Sequence, residues 1–200
     1  MLARYHRQML LPGFGADGQE RLGKSAAIVV GCGALGCTIA DGLARAGVGH
    51  LRLVDRDIVE ETNLQRQVLF DEKDARDGSP KAEAAARRLR AVNSAIQIEP
   101  VIADVSGRNV ESLVDGMDVV VDGTDNFQTR YLVNDACVKL GVPLVYGGVV
   151  GTVGMGMVIV PRVENEEEKT RAGKPVPRQE AAMKTLNASS SSVGSSMGWV

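Results

Sequence analysis

Five consecutive apolar residues, Ala26-Ala27-Ile28-Val29-Val30, follow a mixed polar and apolar lead-in over residues 4–22. An unalternating run of that length is how a strand covered on both faces reads. The period then changes. Gly31-Cys32-Gly33-Ala34-Leu35-Gly36 opens a helical stretch reaching Ala46, Gly47 and Gly49 stop it, and His50-Leu51-Arg52-Leu53-Val54-Asp55 returns to strand character, completing a βαβ unit. Ser79-Pro80, a capping residue followed by a proline suited to a first turn, predicts a helix over Lys81–Val92, a segment rich in Ala, Arg, Leu and Glu. Further on, residues 96–105 read as a strand, 108–114 as a short helix, 117–122 as a buried strand, Phe127–Leu140 as a helix and 144–146 as a strand after Pro143. Strands alternating with helices at this interval predict an α/β fold. It is Rossmann-like, a mostly parallel sheet with helices on both faces, and ligands are expected at the carboxyl ends of its strands.

Past Pro161 the pattern is lost. Residues 164–169 are nearly all charged, Lys174-Pro175-Val176-Pro177 is a breaker, and residues 188–198 are mostly Ser, Gly and Ala. The chain thus divides into 1–161 and a polar, low-complexity tail over 162–200 that is expected to be disordered and that contains Trp199.

Composition removes several classes of function. The 200 residues are 24% charged and 44% apolar, the balance of a soluble globular protein. A net charge of −2 provides no electrostatic footprint for nucleic acid. The apolar runs fall short of the ~20 residues that span a bilayer, and nothing at the N-terminus reads as a signal peptide, so no membrane association is expected. Cys32, Cys37 and Cys137 form neither a C-x-x-C pair nor a ligand cluster. No disulfide framework or zinc site is expected, and the compartment is expected to be the reducing cytoplasm.

The candidate chemistry starts at Gly31-x-Gly33-x-x-Gly36, between a strand and a helix. Glycines there permit a tight turn, close approach of the backbone to a phosphate and close helix packing, and the helix N-terminus attracts anions. Asp55 ends the next strand 19 residues after Gly36, where a carboxylate can accept from ribose hydroxyls or can simply cap its own loop. These features suit NAD and ATP equally. The surroundings discriminate: Asn63-Leu64-Gln65-Arg66-Gln67 lies in a polar loop, Lys81 begins a helix, and Asp122-Gly123-Thr124-Asp125-Asn126 ends a strand. Cations bracing phosphates and a carboxylate able to hold Mg²⁺ are what nucleotidyl transfer needs and a dehydrogenase does not. Taken singly, Lys81 and Arg66 also read as solvated surface residues, and Asp122 and Asp125 as turn formers around Gly123.

Together these residues resemble the MoeB/ThiF/HesA adenylyltransferases, relatives of ubiquitin-activating enzymes, across residues 4–161. The resemblance rests on Arg4-Tyr5-His6-Arg7-Gln8, the glycine turn through Cys37, Asp55-Arg56-Asp57, Asn63-Leu64-Gln65-Arg66-Gln67, Gly78-x-Pro80-Lys81 and Thr124-Asp125-Asn126-Phe127-x-x-Arg130. It implies an ATP-binding adenylyltransferase domain over 1–161, with Gly31, Gly33, Ala34 and Gly36 in the nucleotide turn and Asp55 on the ribose. Asn63, Gln65, Arg66 and Lys81 would hold the phosphates, and Asp125, with Asn126 beside it, would position Mg²⁺. Arg7 would reach the ATP site of the other subunit of a homodimer. Arg7, Arg66, Lys81 and Asp125 are the catalytic candidates. The implied reaction is adenylation of the C-terminal Gly-Gly carboxylate of a ubiquitin-like sulfur-carrier protein. The family usually continues past 155–160 into a C-x-x-C segment, a crossover loop and a second C-x-x-C that complete a zinc site. Here the polar tail follows instead, so a truncated or divergent member without the zinc site is expected. A non-catalytic nucleotide-binding or dimerising remnant, and an NAD-dependent oxidoreductase, are the other readings.

Overall fold

The strands β1 (Ala26–Val30), β2 (His50–Asp55), β3 (Gln97–Ile102), β4 (Val119–Asp122), β5 (Leu144–Val150) and β6 (Val153–Ile159) form one sheet in the order β3-β2-β1-β4-β5-β6. The helices are α1 (His6–Met9), α2 (Gly15–Lys24), α3 (Ala34–Ala46), α4 (Glu72–Asp77), α5 (Lys81–Val92), α6 (Val110–Val114) and α7 (Phe127–Leu140). The computed structural model describes residues 2–161, so the disorder expected of 162–200, and Trp199 with it, lie outside the described residues.

Every pairing from β3 across to β5 is parallel, with Val29 opposite both Leu53 and Val121, and β6 alone runs antiparallel, with Leu144 opposite Ile159. The strand order reverses direction between β1 and β4. A crevice opens at such a reversal, at the carboxyl ends of the two strands. Ala27, Val29, Leu51 and Leu53 share one buried cluster with Ala40 and Ala44 of α3 and Ala85 and Leu89 of α5. The alternate residues Ile28, Val54 and Val120 are equally buried, and α6 and α7 bury Val110, Val114, Val133, Ala136 and Cys137. Both faces of the sheet are therefore covered, as the unbroken apolar runs require.

The helices Lys81–Val92 and Phe127–Leu140 cover the stretches the sequence predicts, and the helix opened by the glycine turn runs over Ala34–Ala46. Two other helices, α2 and α4, hold few apolar residues. In α2, Gly15, Gly18 and Gly23 lower helix propensity, yet Gly18 is required, because a Cβ there would lie 2.7 Å from the Phe14 ring. The helix α4, with Ala75 as its single apolar residue, is held at its start by a capping box between Asp71 and Asp74. The strand expected to end at Tyr146 continues to Val150. Gly147 and Gly148, which weaken an isolated strand, are paired with Gly156 and Met155 of β6.

The N-terminal segment closes the other end of the sheet. Tyr5 is buried with its ring where a Cβ on Gly47 would fall, 2.5 Å away, and Gly47 takes a φ of 88° to end α3. Asn93 Nδ2 donates to Tyr5 Oη and to Ala44 O, both at 2.8 Å. Gln8 and Gln19 donate to Ala46 O at 2.8 and 3.1 Å, and Arg4 donates to Val92 O at 2.9 Å. The carbonyls left over at the ends of α3 and α5 thus find partners.

Candidate functional site

Gly31 leaves β1 with a φ of 90°, its N–H donating to Val54 O at 2.8 Å. A Cβ there would fall 2.9 Å from Gly123 O, and one on Gly36 would fall 1.8 Å from Gly31 O. Both glycines are therefore dictated by backbone packed on backbone. Gly33 differs: its added Cβ would meet nothing nearer than Gly123 O at 4.0 Å. As N-cap of α3 it brings no side chain to the N–H groups of the first turn, beginning with Ala34, an arrangement that suits an anion.

Asp55 is tied into this turn. Its Oδ2 accepts the Cys32 N–H at 2.6 Å and its Oδ1 accepts the Asp57 N–H at 2.8 Å. Capping of its own loop is thus part of what Asp55 does, and a bond to the glycine turn is the other part. A carboxylate offers about four acceptor sites, so two remain for ligand hydroxyls.

Lys81 is not a solvated surface residue, being only 7% exposed. Its Nζ lies 3.1 Å from Asp57 Oδ2 and its N–H donates to Asp57 O at 2.9 Å. The bridge between Ile58 and Pro80 and the bond from Val59 N–H to Ser79 O stitch the start of α5 to the loop after β2. Burial pushes the Cys37 thiol up to about 12, and pushes that of Cys32 well above its ordinary range, with the charges of Asp55 and Lys81 acting on both in opposite senses. All three cysteines are free and buried, which suits packing rather than nucleophilic chemistry.

In the loop after β2, Asn63 is buried and its Oδ1 accepts the Glu60 N–H at 3.1 Å. Gln65 and Arg66 are exposed, with Arg66 Nη1 donating to Thr62 O at 2.9 Å. Gln67 is buried, and its Oε1 has no hydrogen-bond partner among the described residues.

The loop after β4 lies directly on the glycine turn, Gly123 N–H donating to Val30 O at 2.8 Å. Its two carboxylates have separate fates. Asp122 is buried and faces Arg130 Nε at 3.0 Å, and its Oδ1 accepts both N–H and Oγ1–H of Thr124. Burial raises its carboxyl above the usual range, against the pull of Thr124 and Arg130. Asp125 is exposed, with no hydrogen bond or ion pair among the described residues. Asn126 caps α7, its Oδ1 accepting the Thr129 N–H at 2.8 Å.

The carboxyl ends of β1, β2 and β4 therefore gather Gly31, Gly33, Ala34, Gly36, Asp55, Lys81 and Asp125, with the loop of Asn63, Gln65 and Arg66 following β2. Arg7 is not brought to them. It is exposed on α1, next to Gln8, which bonds to Ala46 at the opposite end of α3. The 13 residues of α3 separate the two ends by ~20 Å at about 1.5 Å per residue. Among the described residues no three His, Cys, Asp or Glu side chains are grouped to hold a metal alone. One free carboxylate suits Mg²⁺ in company with substrate phosphates, since that ion is commonly held by one or two carboxylates together with such phosphates. The Asp122–Arg130 pair is the feature that spacing alone does not reveal, although both residues stand in the motif stretch 122–130.

A model of the ThiF family matches residues 5–198. The chain is 45% identical over 161 residues to the sulfur carrier protein ThiS adenylyltransferase of Bacillus subtilis, covering 80% of this chain and 48% of that protein. It is 47% identical over 160 residues to the SAMP-activating enzyme E1 of Haloferax volcanii, covering 80% of this chain and 58% of that one. Among solved structures, E. coli MccB with ATP superposes with a TM-score of 0.72 at 28% identity, covering 92% of this chain and 56% of that chain. The chain spans about half the length of these relatives. Among the described residues no helix is long and apolar enough to cross a membrane.

Proposed function

The chain belongs to the ThiF family, and on that premise we propose that it adenylates the C-terminal Gly-Gly carboxylate of a ubiquitin-like sulfur-carrier protein at the expense of ATP. The observation that carries the reading is the burial of Lys81 beside the glycine turn, with Asp125 free on the facing loop. A buried cation and a free carboxylate at one sheet edge suit a triphosphate with its metal ion. They are unexplained by hydride transfer.

Residues 1–161 form the ATP-binding part in this reading. Asp55 accepts from the ribose hydroxyls while it holds the turn at Cys32. The phosphates run from the first turn of α3 toward Lys81, with Arg66, Asn63 and Gln65 bordering them. Asp125 holds Mg²⁺, with Asn126 fixing the start of α7 behind it. When bound, Mg²⁺ neutralises phosphate charge. A terminal carboxylate oxygen of the carrier attacks the α-phosphorus, the bond from that phosphorus to the α–β bridging oxygen breaks, and pyrophosphate leaves. Lys81 stabilises the charge that gathers on the leaving group, and a cation preset in a partly desolvated position does so with little reorganisation.

The distance between Arg7 and the glycine turn of its own chain supports a homodimer in which Arg7 serves the second copy. Buried, unpaired thiols accord with a reducing, cytoplasmic setting.

The test is ATP–pyrophosphate exchange by the purified full chain with a Gly-Gly-ending sulfur carrier. Carrier-dependent exchange is expected with the native C-terminus and not with a carrier lacking its last two glycines. Nucleotide binding without exchange on any such carrier would make the chain a nucleotide-binding protein only, and tighter binding of NADH than of ATP would overturn the reading.

A further inference from the structure

Asp125 has no contact of its own to set where its carboxylate points, yet the peptide before it is fastened from several sides. Thr124 donates its N–H and its Oγ1–H to Asp122 Oδ1, at 2.9 and 2.7 Å. Its carbonyl accepts from Arg130 Nη2 at 2.6 Å. The next residue, Asn126, is fixed by its bond to Thr129 N–H. Asp125 is thus the one exposed acid between two immobilised neighbours.

Arg130 is the hub of this arrangement. Its Nε lies 3.0 Å from Asp122 Oδ2, Nη1 donates to Tyr146 Oη at 3.0 Å, and Nη2 donates also to Gly147 O at 3.1 Å. The guanidinium lies 4.7 Å from the centre of the Tyr146 ring and 5.4 Å from that of Phe127. One planar fork therefore joins the end of β4, the loop after it, the first turn of α7 and the middle of β5. Only a guanidinium has the fixed donor geometry to do so, and a lysine in its place keeps the charge but not the fork. A buried ion pair is weak evidence of stabilisation, since apolar replacements of equal volume often serve as well or better. Holding a loop in one arrangement is a role that apolar side chains cannot take over.

We propose that Arg130 is a positioning residue for the metal–nucleotide site: with Asp122 it fixes Thr124 and thereby holds the Asp125 carboxylate toward the phosphates. Arg130 itself touches neither metal nor nucleotide. The inference rests on the role given above to Asp125.

The test measures, on the full chain, ATP affinity by calorimetry across a series of Mg²⁺ concentrations, with hydrogen exchange at the Thr124 amide as a readout free of any ligand. The variants are Arg130→Lys, Tyr146→Phe, Asp125→Ala and the double variant Arg130→Lys with Asp125→Ala. Arg130→Lys is expected to raise the Mg²⁺ concentration for half-maximal effect about tenfold, to leave metal-free ATP binding unchanged and to speed exchange at Thr124. Tyr146→Phe removes one bond to the fork and keeps the ion pair, so a two- to threefold shift in the same direction is expected even if Arg130→Lys does not fold. In the Asp125→Ala background Arg130→Lys should add no further change in metal dependence, because the two then act through one carboxylate. If Asp125→Ala itself leaves the Mg²⁺ dependence unchanged, the role assigned to Asp125 is wrong and this inference goes with it. If Asp125→Ala abolishes the dependence while Arg130→Lys and Tyr146→Phe leave it at the native value, the role of Asp125 stands and the inference about Arg130 is overturned. An equal loss of ATP affinity with and without Mg²⁺ in the Arg130 variant would likewise overturn it, reducing Arg130 to general packing.

Discussion

Lys81 is joined to Asp57 twice, by an ion pair of 3.1 Å from Nζ to Oδ2 and by a backbone bond of 2.9 Å from N–H to O. The backbone bond fixes the start of α5 and the ion pair aims the side chain. Lys81→Ala keeps the first and loses the second. ATP–pyrophosphate exchange is expected to fall by about a hundredfold or more, the scale on which a preset charge partner acts. The thermal midpoint should move little by comparison. A variant that exchanges at the native rate would remove Lys81 from the site.

Gly33 and Gly36 separate function from folding. Gly36→Ala forces a Cβ to within 1.8 Å of Gly31 O and is expected to cost ~3 kcal/mol in denaturant unfolding, the upper part of the range for overpacking. Gly33 has a φ of −76°, and its added Cβ would meet only Gly123 O, at 4.0 Å. Gly33→Ala should therefore unfold within about 0.5 kcal/mol of the native chain while losing nucleotide affinity in calorimetry.

The thiols predict an alkaline loss of stability. Burial raises Cys37 and Cys137 to about 12, whereas an unfolded thiol ionises near ~8.5. Above that value the unfolded chain has shed protons that the folded chain keeps, so stability present at lower pH declines as pH rises from ~8.5 toward 12. Urea midpoints at pH 7 and pH 10 measure the decline, and Cys37→Ala should lessen it. Native protein should also resist thiol reagents at pH 8 until it is unfolded.

Tyr5→Phe removes the acceptor at 2.8 Å from Asn93 Nδ2 and leaves a buried N–H unsatisfied, while keeping the ring against Gly47. A cost of about 1–2 kcal/mol is expected. Thermal unfolding should detect it as a lowered midpoint with nucleotide affinity preserved, because Tyr5 and the glycine turn are at opposite ends of α3.

The parts legible in the sequence are those in which local preference and tertiary packing agree. The run Ala26–Val30 reads as a doubly covered strand and is one, and α5 starts directly after the Ser79-Pro80 signal. The helix α2 is not legible because the space taken by Phe14 against Gly18 is decided in three dimensions. At the site, the glycine turn and Asp55 are evident from spacing, whereas the separation of Asp122 from Asp125 is not. Both are acids in one turn, and only the arrival of Arg130 from the next helix buries one and leaves the other free. Burial of Lys81 is equally hidden, since it depends on a bridge between residues 58 and 80 that no local pattern encodes.

The bond from the Cys32 N–H to Asp55 has a kinetic consequence. Because the end of β2 already holds the turn in shape, an arriving nucleotide has no loop to wait for. Association in stopped flow should then give one phase whose rate rises in proportion to nucleotide concentration, with no plateau from a slow rearrangement. Asp55→Ala, which lets the turn go, is expected to introduce that plateau.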